Sequence, residues 1–401
     1  MPSARDCLVM AKPAGPRCNL RCDYCYYLDK EAVFAAARAP ARPPWPMSEG
    51  LLESYIAQRI ESSPGSSPRD AATHFEWHGG EPTLLGLDYF RLIRRIQARK
   101  LPRGRTLTNG LQTNGVLIDE AWADFLAREG FSVGLSIDGP ADLHDRHRKG
   151  PDGSPSHARA MRAFGLLKER GVFCNLLCVL HADNAAEPER VYGFFREAGA
   201  KYLQFLPLVL RHGSPRDAPG PAGAADAAAS PEAIGDFLCA VFDMWIRDDV
   251  GRIVVQAFDE ALRPLYGAPH ALCVHRETCG DVAVLESDGS FYACDHFVDS
   301  GHLIGNLGER SLADLSSDPR MLAFGEAKRG SLPRVCRDCE VLASCNGGCP
   351  KDRFAMSADG EGGLNYLCAA YKRFFLHSKP ELTRLASHMK AGKSLRSFSG
   401  P

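Results

Sequence analysis

Residues 18–27 read CNLRCDYCYY and place three cysteines, Cys18, Cys22 and Cys25, within eight residues. No other cysteine or histidine lies close enough in the sequence to complete the four ligands of a structural zinc site. Three thiolates can bind three irons of a 4Fe-4S cube and leave the fourth iron open to a ligand that is not protein. The spacing therefore favours a reactive iron–sulfur cluster over a zinc knuckle.

The composition describes an almost neutral chain of 401 residues, with 48 Lys and Arg against 49 Asp and Glu. This length suits one large catalytic domain and a smaller one. The charge balance gives no support for a nucleic-acid partner or an anionic membrane surface. No stretch approaches the ~20 apolar residues of a membrane span, and the N-terminus lacks the apolar region of a signal peptide. We expect a cytoplasmic enzyme with no membrane partner.

Fifteen cysteines are the informative number, because clustered cysteines in a reducing compartment usually hold metal and structural disulfides there are rare. Cys7, Cys174, Cys178 and Cys239 fall in apolar segments and are expected to be core thiols. Eleven cysteines remain for metal sites.

The first 260 residues alternate short apolar runs with longer segments of helical periodicity, which predicts a parallel sheet with right-handed crossovers. Six units are fewer than the eight of a closed barrel, so we expect an α/β fold with a partial, open-sided (β/α)6 barrel and active residues at the C-terminal ends of its strands. The predicted strands are 7–12, 73–78, 106–114, 131–138, 173–180 and 201–209, and the helices 87–100, 119–130, 156–171 and 187–200.

Two segments rich in Pro, Ala and Gly, 35–46 and 212–231, are predicted loops, and the second is expected to be disordered. After residue 262 the sequence becomes irregular and rich in cysteine, which indicates a domain organised by metal. The predicted division is 1–262 for the barrel, 263–385 for the cysteine-rich domain and 386–401 for a basic tail.

The eight remaining cysteines make two complete sets of four. They can ligate two further 4Fe-4S clusters, or two structural zinc ions as in a ribbon domain. They are Cys273, Cys279, Cys294, Cys336, Cys339, Cys345, Cys349 and Cys368.

The spacing of Cys18, Cys22 and Cys25, with an aromatic residue directly before the third cysteine, resembles the radical S-adenosylmethionine (SAM) superfamily. WHGGEP at 77–82 matches the Gly-Gly-Glu-Pro element of that family. The resemblance implies that SAM binds the open iron and is cleaved to a 5′-deoxyadenosyl radical. It also implies cofactor contacts by Tyr24 near the adenine, Gly80 at the methionine amino group, Ser136 and Arg148 at the ribose and carboxylate, and Val209 on the adenine side. Without this resemblance, the sequence alone would predict that Asp138-Gly139-Pro140 forms a turn and that Arg148 is a surface residue.

The eight later cysteines, in the order C-x9-G-x4-C, C-x2-C-x5-C-x3-C and C, resemble the SPASM domain of radical enzymes that modify peptides. The resemblance implies that the ligand sets interleave and that both clusters accept or relay an electron. Cys273, Cys279, Cys294 and Cys349 would hold one cluster, and Cys336, Cys339, Cys345 and Cys368 the other.

Within that group, the stretches GGEPTLLGLDYF, VGLSIDGPADLHDRHRKG and VLESDGSFYACDHFV resemble anaerobic sulfatase-maturating enzymes. This implies oxidation of a cysteine or serine of a sulfatase to Cα-formylglycine, with Asp295 as the base and an electron donor such as flavodoxin or ferredoxin. Two alternatives stay open: Asp295 only bonds backbone, or the substrate is another ribosomally made peptide. Members of the family often have glutamine where this chain has His78, and this departure leaves the peptide preference open. Two roles stay open for His78: a hydrogen-bonding group in place of the glutamine amide, or a proton-transfer group.

Overall fold

The computed structural model describes residues 7–28, 30, 45–62, 72–210 and 227–400. Most of the two predicted loops, 35–46 and 212–231, lies outside these residues. In the first two thirds of the chain, strands and helices alternate as predicted. The strands are β1 (Leu8–Lys12), β2 (Ala72–Trp77), β3 (Thr106–Thr113), β4 (Phe131–Ser136), β5 (Cys174–Leu180), β6 (Tyr202–Pro207) and β7 (Val254–Val255). The helices are α1 (Glu49–Ser62), α2 (Gly86–Lys100), α3 (Glu120–Arg128), α4 (Ala141–His147), α5 (His157–Glu169), α6 (Ala182–Ala185), α7 (Pro188–Ala198), α8 (Pro231–Asp248) and α9 (Gln256–Tyr266).

Strands β1 to β7 pair in parallel in the order of the chain, so the predicted partial barrel is confirmed. Alternate side chains of each strand enter the core; in β4, for example, Phe131, Val133 and Leu135 are buried. The crossover helices cover the sheet with one apolar face, and α3 begins where Asp119 accepts a hydrogen bond from the Trp122 amide. This arrangement brings the C-terminal ends of all the strands to one rim.

The cysteine-rich part contains more regular structure than its sequence indicates. Strand β8 (Val282–Glu286) pairs in parallel with β1 over five residues and so extends the barrel sheet beyond its first strand. Strands β9 (Ser290–Tyr292) and β10 (Leu303–Asn306) then continue the sheet in antiparallel pairing. These strands were not predicted from the sequence, because strands of three to five residues between loops leave no clear period. The remaining elements are α10 (Leu312–Ser316), α11 (Pro319–Gly330), α12 (Arg334–Arg337), α13 (Leu342–Cys345), β11 (Ala355–Met356), β12 (Gly362–Leu364) and α14 (Cys368–Lys390).

Helix α14 joins the C-terminal part of the chain to the barrel. Its Phe374 stacks on Phe258 of α9 at 5.5 Å between ring centroids and meets Phe242 of α8 edge-on at 6.2 Å. The predicted domain boundaries after residues 262 and 385 fall inside α9 and α14, and the division into domains stays a prediction.

Three of the four expected core thiols, Cys7, Cys178 and Cys239, are buried, and Cys174 is half-buried against the same core. In the described part of the chain, no helix is both long and apolar enough to cross a membrane.

Candidate active site

The loop with the first three cysteines leaves the C-terminal end of β1 and is held at the rim by backbone hydrogen bonds. The Arg21 amide donates to the Lys149 carbonyl at 2.7 Å, and the Asp23 amide donates to the His147 carbonyl at 3.1 Å. These bonds join the cysteine loop to the segment that follows α4. The predicted metal ligands and the predicted cofactor contact Arg148 therefore lie on neighbouring pieces of chain.

Gly80 lies under the cysteine loop, and its backbone approaches protein rather than open space. A Cβ atom at Gly80 would lie 2.2 Å from the carbonyl oxygen of Arg17. Its amide donates to the Gly15 carbonyl at 2.9 Å, and the Glu81 amide donates to Arg17 at 2.7 Å. Close approach of two chain segments thus requires glycine here, whereas the sequence suggested only approach to a ligand.

The carboxylate of Glu81 is fully buried and ties this element to the end of β3. It accepts hydrogen bonds from the Thr113 hydroxyl at 2.7 Å and the Asn114 amide at 2.8 Å. The Asn114 side chain in turn donates to Asn19 at 2.8 Å and lies 3.7 Å from the Cys18 sulfur. Sequence analysis missed Glu81 and Asn114 as supports of the cysteine loop.

The first three cysteines form one group. The pKa of the Cys18 thiol is raised to about 11 and that of Cys22 to about 12, mainly by burial and in part by the nearby Cys25. A bound metal would have to deprotonate these thiols, as thiolate coordination requires.

Asp138, at the end of β4, anchors two of the predicted cofactor contacts. It is fully buried, accepts a hydrogen bond from the Tyr24 hydroxyl, and pairs with Arg148 Nε at 2.7 Å. Its other oxygen accepts from the Val179 amide at 2.9 Å. Burial raises the pKa of Asp138, but Arg148 and His144 outweigh that effect and hold the pKa below its usual range. Asp138 is therefore an ionised anchor rather than part of a simple turn, and Arg148 is a buried residue rather than a surface one.

Tyr24 belongs to a small apolar cluster with Leu208 and Ala227, to which Leu210 and Val179 add partly buried surface. Val209 instead packs against the main core. Ser136 is half-buried at the end of β4, where its hydroxyl accepts from Gln112 at 3.4 Å. The structure thus brings Tyr24 and Arg148 together and places Val209 beside this group rather than in it.

Asp295 directly follows Cys294 and contacts a different part of the cysteine loop from Asp138. It forms a buried ion pair with Lys12 at the end of β1 and accepts a hydrogen bond from the Tyr26 hydroxyl. Lys30 donates to its backbone carbonyl at 3.1 Å. Burial raises the pKa of Asp295, but the charges of Lys12 and His78 are among those that outweigh it and hold the pKa well below its usual range.

Lys12 is also close to the next aromatic residue of the loop. Its Nζ lies 3.6 Å from the centroid of the Tyr27 ring, and the Tyr27 hydroxyl donates to Glu286 of β8 at 2.5 Å. His78, whose amide donates to the Ala11 carbonyl at 2.8 Å, has a buried Nδ1 with no partner among the described residues. Polar groups from both parts of the chain therefore converge beside the first cysteine loop.

The eight later cysteines separate into two groups. Cys336, Cys339, Cys345 and Cys368 line one cavity of about 480 Å³. Burial raises the pKa of the Cys294 thiol, and the nearby Cys349 and Cys273 raise it further. Burial likewise raises the pKa of Cys279, and Cys273 adds to this effect. The two groups have the same members as the interleaved sets that the sequence resemblance implied, and their assignment to two clusters stays a prediction.

These groups fit the cofactors that the sequence implies. All eleven cysteines are free thiols. One set of four surrounds a cavity rather than packed side chains: Cys336, Cys339, Cys345 and Cys368. A donor set of four sulfurs suits an iron–sulfur cluster or zinc, whereas three sulfurs leave one metal position for another ligand. Arg148 bonds Asp138 through Nε, and in the described residues its two terminal nitrogens have no hydrogen-bond partner, which leaves two donors of the kind that bind a carboxylate.

Comparison with known proteins agrees with this arrangement. Residues 13–195 match the radical SAM superfamily, and residues 273–340 match an iron–sulfur cluster-binding domain, SPASM. The chain is 40% identical over 387 residues to a serine-type anaerobic sulfatase-maturating enzyme of Bacteroides thetaiotaomicron, covering 94% of this chain and 91% of that protein. A serine-type enzyme of Klebsiella aerogenes is 36% identical, over 92% of this chain and 84% of that protein.

A cysteine-type enzyme of Clostridium perfringens is 31% identical over 95% of this chain and 99% of that protein. Among solved structures, native anSMEcpe with bound AdoMet and Cp18Cys peptide matches with a TM-score of 0.81 and 31% identity, over 95% of this chain and 99% of that one. The family, fold and enzyme class predicted from the sequence are confirmed. This chain belongs to the anaerobic sulfatase-maturating enzymes of the radical S-adenosylmethionine superfamily.

Proposed function

We propose that this enzyme oxidises the β-carbon of a serine in a sulfatase chain to the aldehyde of Cα-formylglycine, with Asp295 as the base. The observation that carries the proposal is the buried Asp295 beside Cys294, in contact with Lys12 and Tyr26 from the barrel. The preference for serine is supported by identities of 40% and 36% to serine-type relatives against 31% to a cysteine-type one. Cysteine is the alternative substrate at the same site.

The three groups of cysteines would each hold a 4Fe-4S cluster. Cys18, Cys22 and Cys25 would hold the cluster that binds SAM, and the two sets of four would hold fully ligated clusters. SAM bound at the first cluster supplies the hydrogen-abstracting chemistry of the reaction. Tyr24, Arg148, Ser136, Gly80 and Val209 would contact that cofactor, with Asp138 as the anchor of the first two.

The oxidation removes one hydrogen atom from the β-carbon, one proton from the hydroxyl and one electron. Asp295 is ionised, which is the form that can accept the proton. The ion pair with Lys12 also lowers its affinity for that proton. Transfer of the hydroxyl proton to Asp295 must therefore occur together with loss of the electron from the substrate. The position of Asp295 next to Cys294 would couple these two transfers.

The substrate would be a sulfatase polypeptide or a peptide from it. An electron donor such as flavodoxin or ferredoxin would deliver the electron that starts the reaction. The many free cysteines support a cytoplasmic location, because thiols stay reduced in that compartment. The other candidate, modification of a different ribosomally made peptide, would use the same clusters. No observation on this site favours it over a sulfatase.

The test is anaerobic incubation of the reconstituted enzyme with SAM, dithionite and a sulfatase peptide containing Ser-x-Pro-x-Arg, beside its Cys-x-Pro-x-Arg version. A loss of about 2 mass units from the serine peptide, or about 18 from the cysteine one, with 5′-deoxyadenosine, supports formylglycine formation. Faster conversion of the serine peptide supports the stated preference. Deoxyadenosine with both peptides unchanged would transfer the proposal to another peptide substrate.

A further inference from the structure

Two cations of the cysteine-rich part are held by backbone carbonyls instead of carboxylates. Lys328 is 1% exposed, and its Nζ donates to the carbonyls of Cys273 at 2.7 Å and Val274 at 3.0 Å, and also to that of Arg276. Arg353 is half-buried and donates to four backbone carbonyls and the Ser331 hydroxyl. In the described ranges, neither cation has an acidic partner within ion-pair distance. A buried charge without a counter-charge is costly, so both positions imply a negative group that a loaded protein would contain.

The segment around Arg353 has an unusual backbone. Asn346, Gly347 and Gly348 are three consecutive residues in the left-handed region, with φ of 48°, 69° and 60°. Their carbonyls all accept from the same guanidinium, at 2.9 Å from Asn346, 2.9 Å from Gly347 and 3.4 Å from Gly348. A Cβ at Gly347 would lie 2.7 Å from Arg353 Nη2. The turn is therefore shaped around this side chain.

That turn joins the two cysteine groups. It begins after Cys345, which lines the cavity together with Cys336, Cys339 and Cys368. It ends before Cys349, which belongs to the set with Cys273, Cys279 and Cys294. Arg353 Nη1 also donates to the Lys328 carbonyl at 2.5 Å, which connects the turn to the end of α11. Burial lowers the pKa of Arg353, and thiols of both groups, Cys336 and Cys279, oppose that effect. The guanidinium thus holds the turn that links the two sets.

A 4Fe-4S core with four thiolates carries net negative charge, and one-electron reduction adds a further negative charge. A nearby cation therefore stabilises the reduced form more than the oxidised form and raises the reduction potential. We propose that Arg353 is a positioning residue and the shared counter-charge of the two auxiliary clusters, and that Lys328 is a counter-charge of the Cys273–Cys349 cluster alone. This inference rests on the proposed assignment of the two cysteine sets to clusters. It makes both clusters better acceptors of the electron that substrate oxidation releases.

The test is a redox titration followed by electron paramagnetic resonance on the full chain with Cys18, Cys22 and Cys25 replaced by alanine, so that only the auxiliary clusters report. Arg353→Gln should shift both one-electron equilibria toward the oxidised form by at least tenfold, about 59 mV. Arg353→Lys keeps the charge and should shift both less than Arg353→Gln. Lys328→Gln should shift one cluster only. The matched control is Arg329→Gln, an exposed neighbour paired with Glu277, which should shift neither.

Unchanged potentials in Arg353→Gln and Lys328→Gln, at full iron content, would overturn the proposal. If Arg353→Gln does not retain iron, the Lys328→Gln variant alone tests the proposal. An unchanged reduction potential in Lys328→Gln would then overturn it. A protein that holds zinc and gives no redox signal would overturn this inference together with the cluster assignment. The expected shifts, combined with no oxidation of either sulfatase peptide by the enzyme that keeps Cys18, Cys22 and Cys25, would support this inference while contradicting the proposed function.

Discussion

Lys12 and Asp295 form an ion pair across 283 residues of sequence, between the last residue of β1 and the residue after a predicted cluster ligand. Lys12 is fully buried and Asp295 is 8% exposed. Strand β8 makes this contact possible, because its parallel pairing with β1 brings the following segment to the same rim. The cysteine-rich part thereby contributes the Asp295 carboxylate, as well as Glu286 of β8, beside Lys12, Tyr26 and Tyr27 of the barrel.

Asp295→Asn should leave SAM cleavage in place while abolishing oxidation of the peptide. An amide keeps the size and one acceptor oxygen of the carboxylate but cannot take a proton, and a general base contributes about 100-fold or more to rate. Mass spectrometry of the serine peptide and chromatography of 5′-deoxyadenosine measure the two steps separately. The control is Asp124→Asn, an exposed carboxylate paired with Arg170. Peptide oxidation at the native rate in Asp295→Asn would leave Asp295 with a structural role only.

Lys12→Met should destabilise the fold strongly, because it leaves the Asp295 carboxylate buried without its counter-charge. Loss of one partner of a buried pair costs about 3–5 kcal/mol in the free energy of unfolding. The double variant Lys12→Met with Asp295→Asn should recover part of this loss, since neither charge remains. Arg91→Met, which breaks the exposed pair with Asp88, should cost less than about 1 kcal/mol. Anaerobic thermal unfolding is measured for the native protein, both single variants, the double variant and Arg91→Met, and strictly additive effects in the double variant would contradict the coupling.

Asp138→Asn should weaken SAM binding. The carboxylate holds Arg148 and Tyr24 in place, and charge-assisted hydrogen bonds of this kind contribute about 1.5–3 kcal/mol, or about a tenfold to hundredfold change in dissociation constant. Calorimetry with SAM on the reconstituted protein gives the constant directly. Asp142→Asn removes an exposed carboxylate of α4, paired with Arg190, and should leave it unchanged. Equal affinity in the Asp138 variant and the native protein would mean that Arg148 needs no anchor.

The barrel could be predicted from the sequence because each strand is a short apolar run followed by an amphipathic helix. Strand β8 could not, since its five residues stand between cysteine-rich loops and gain their partner only through pairing with β1. The register of that pairing depends on residues far apart in the chain.

The cysteines of the site could be predicted because metal coordination imposes short spacings on the sequence. The roles of Lys12, Glu81 and Asp138 depend on contacts between strand ends, and spacing carries no sign of them. One signal was present for Lys12: a lysine directly after the apolar run LVMA, at a strand end where active residues belong. For Gly80 the contact with the cofactor stays a prediction, and the carbonyl of Arg17 supplies a separate reason for glycine that only the folded chain shows.

His78→Gln distinguishes the two roles that remain open for this residue. If His78 serves as a hydrogen-bonding group, glutamine should keep most of the oxidation rate, whereas His78→Leu, which cannot donate or accept, should lose it. The buried Nδ1 without a partner favours hydrogen bonding to a substrate or cofactor group over a structural contact. Rates on the serine and cysteine peptides, measured side by side, also show whether the residue sets the preference between hydroxyl and thiol. The matched control is His74→Gln in β2, the strand that directly precedes His78. The His74 ring already bonds Thr108 and Glu76, and its replacement should matter little. A loss of rate in His78→Gln as large as in His78→Leu would instead assign His78 to proton transfer, because an amide can replace the hydrogen bond but not the titrating group.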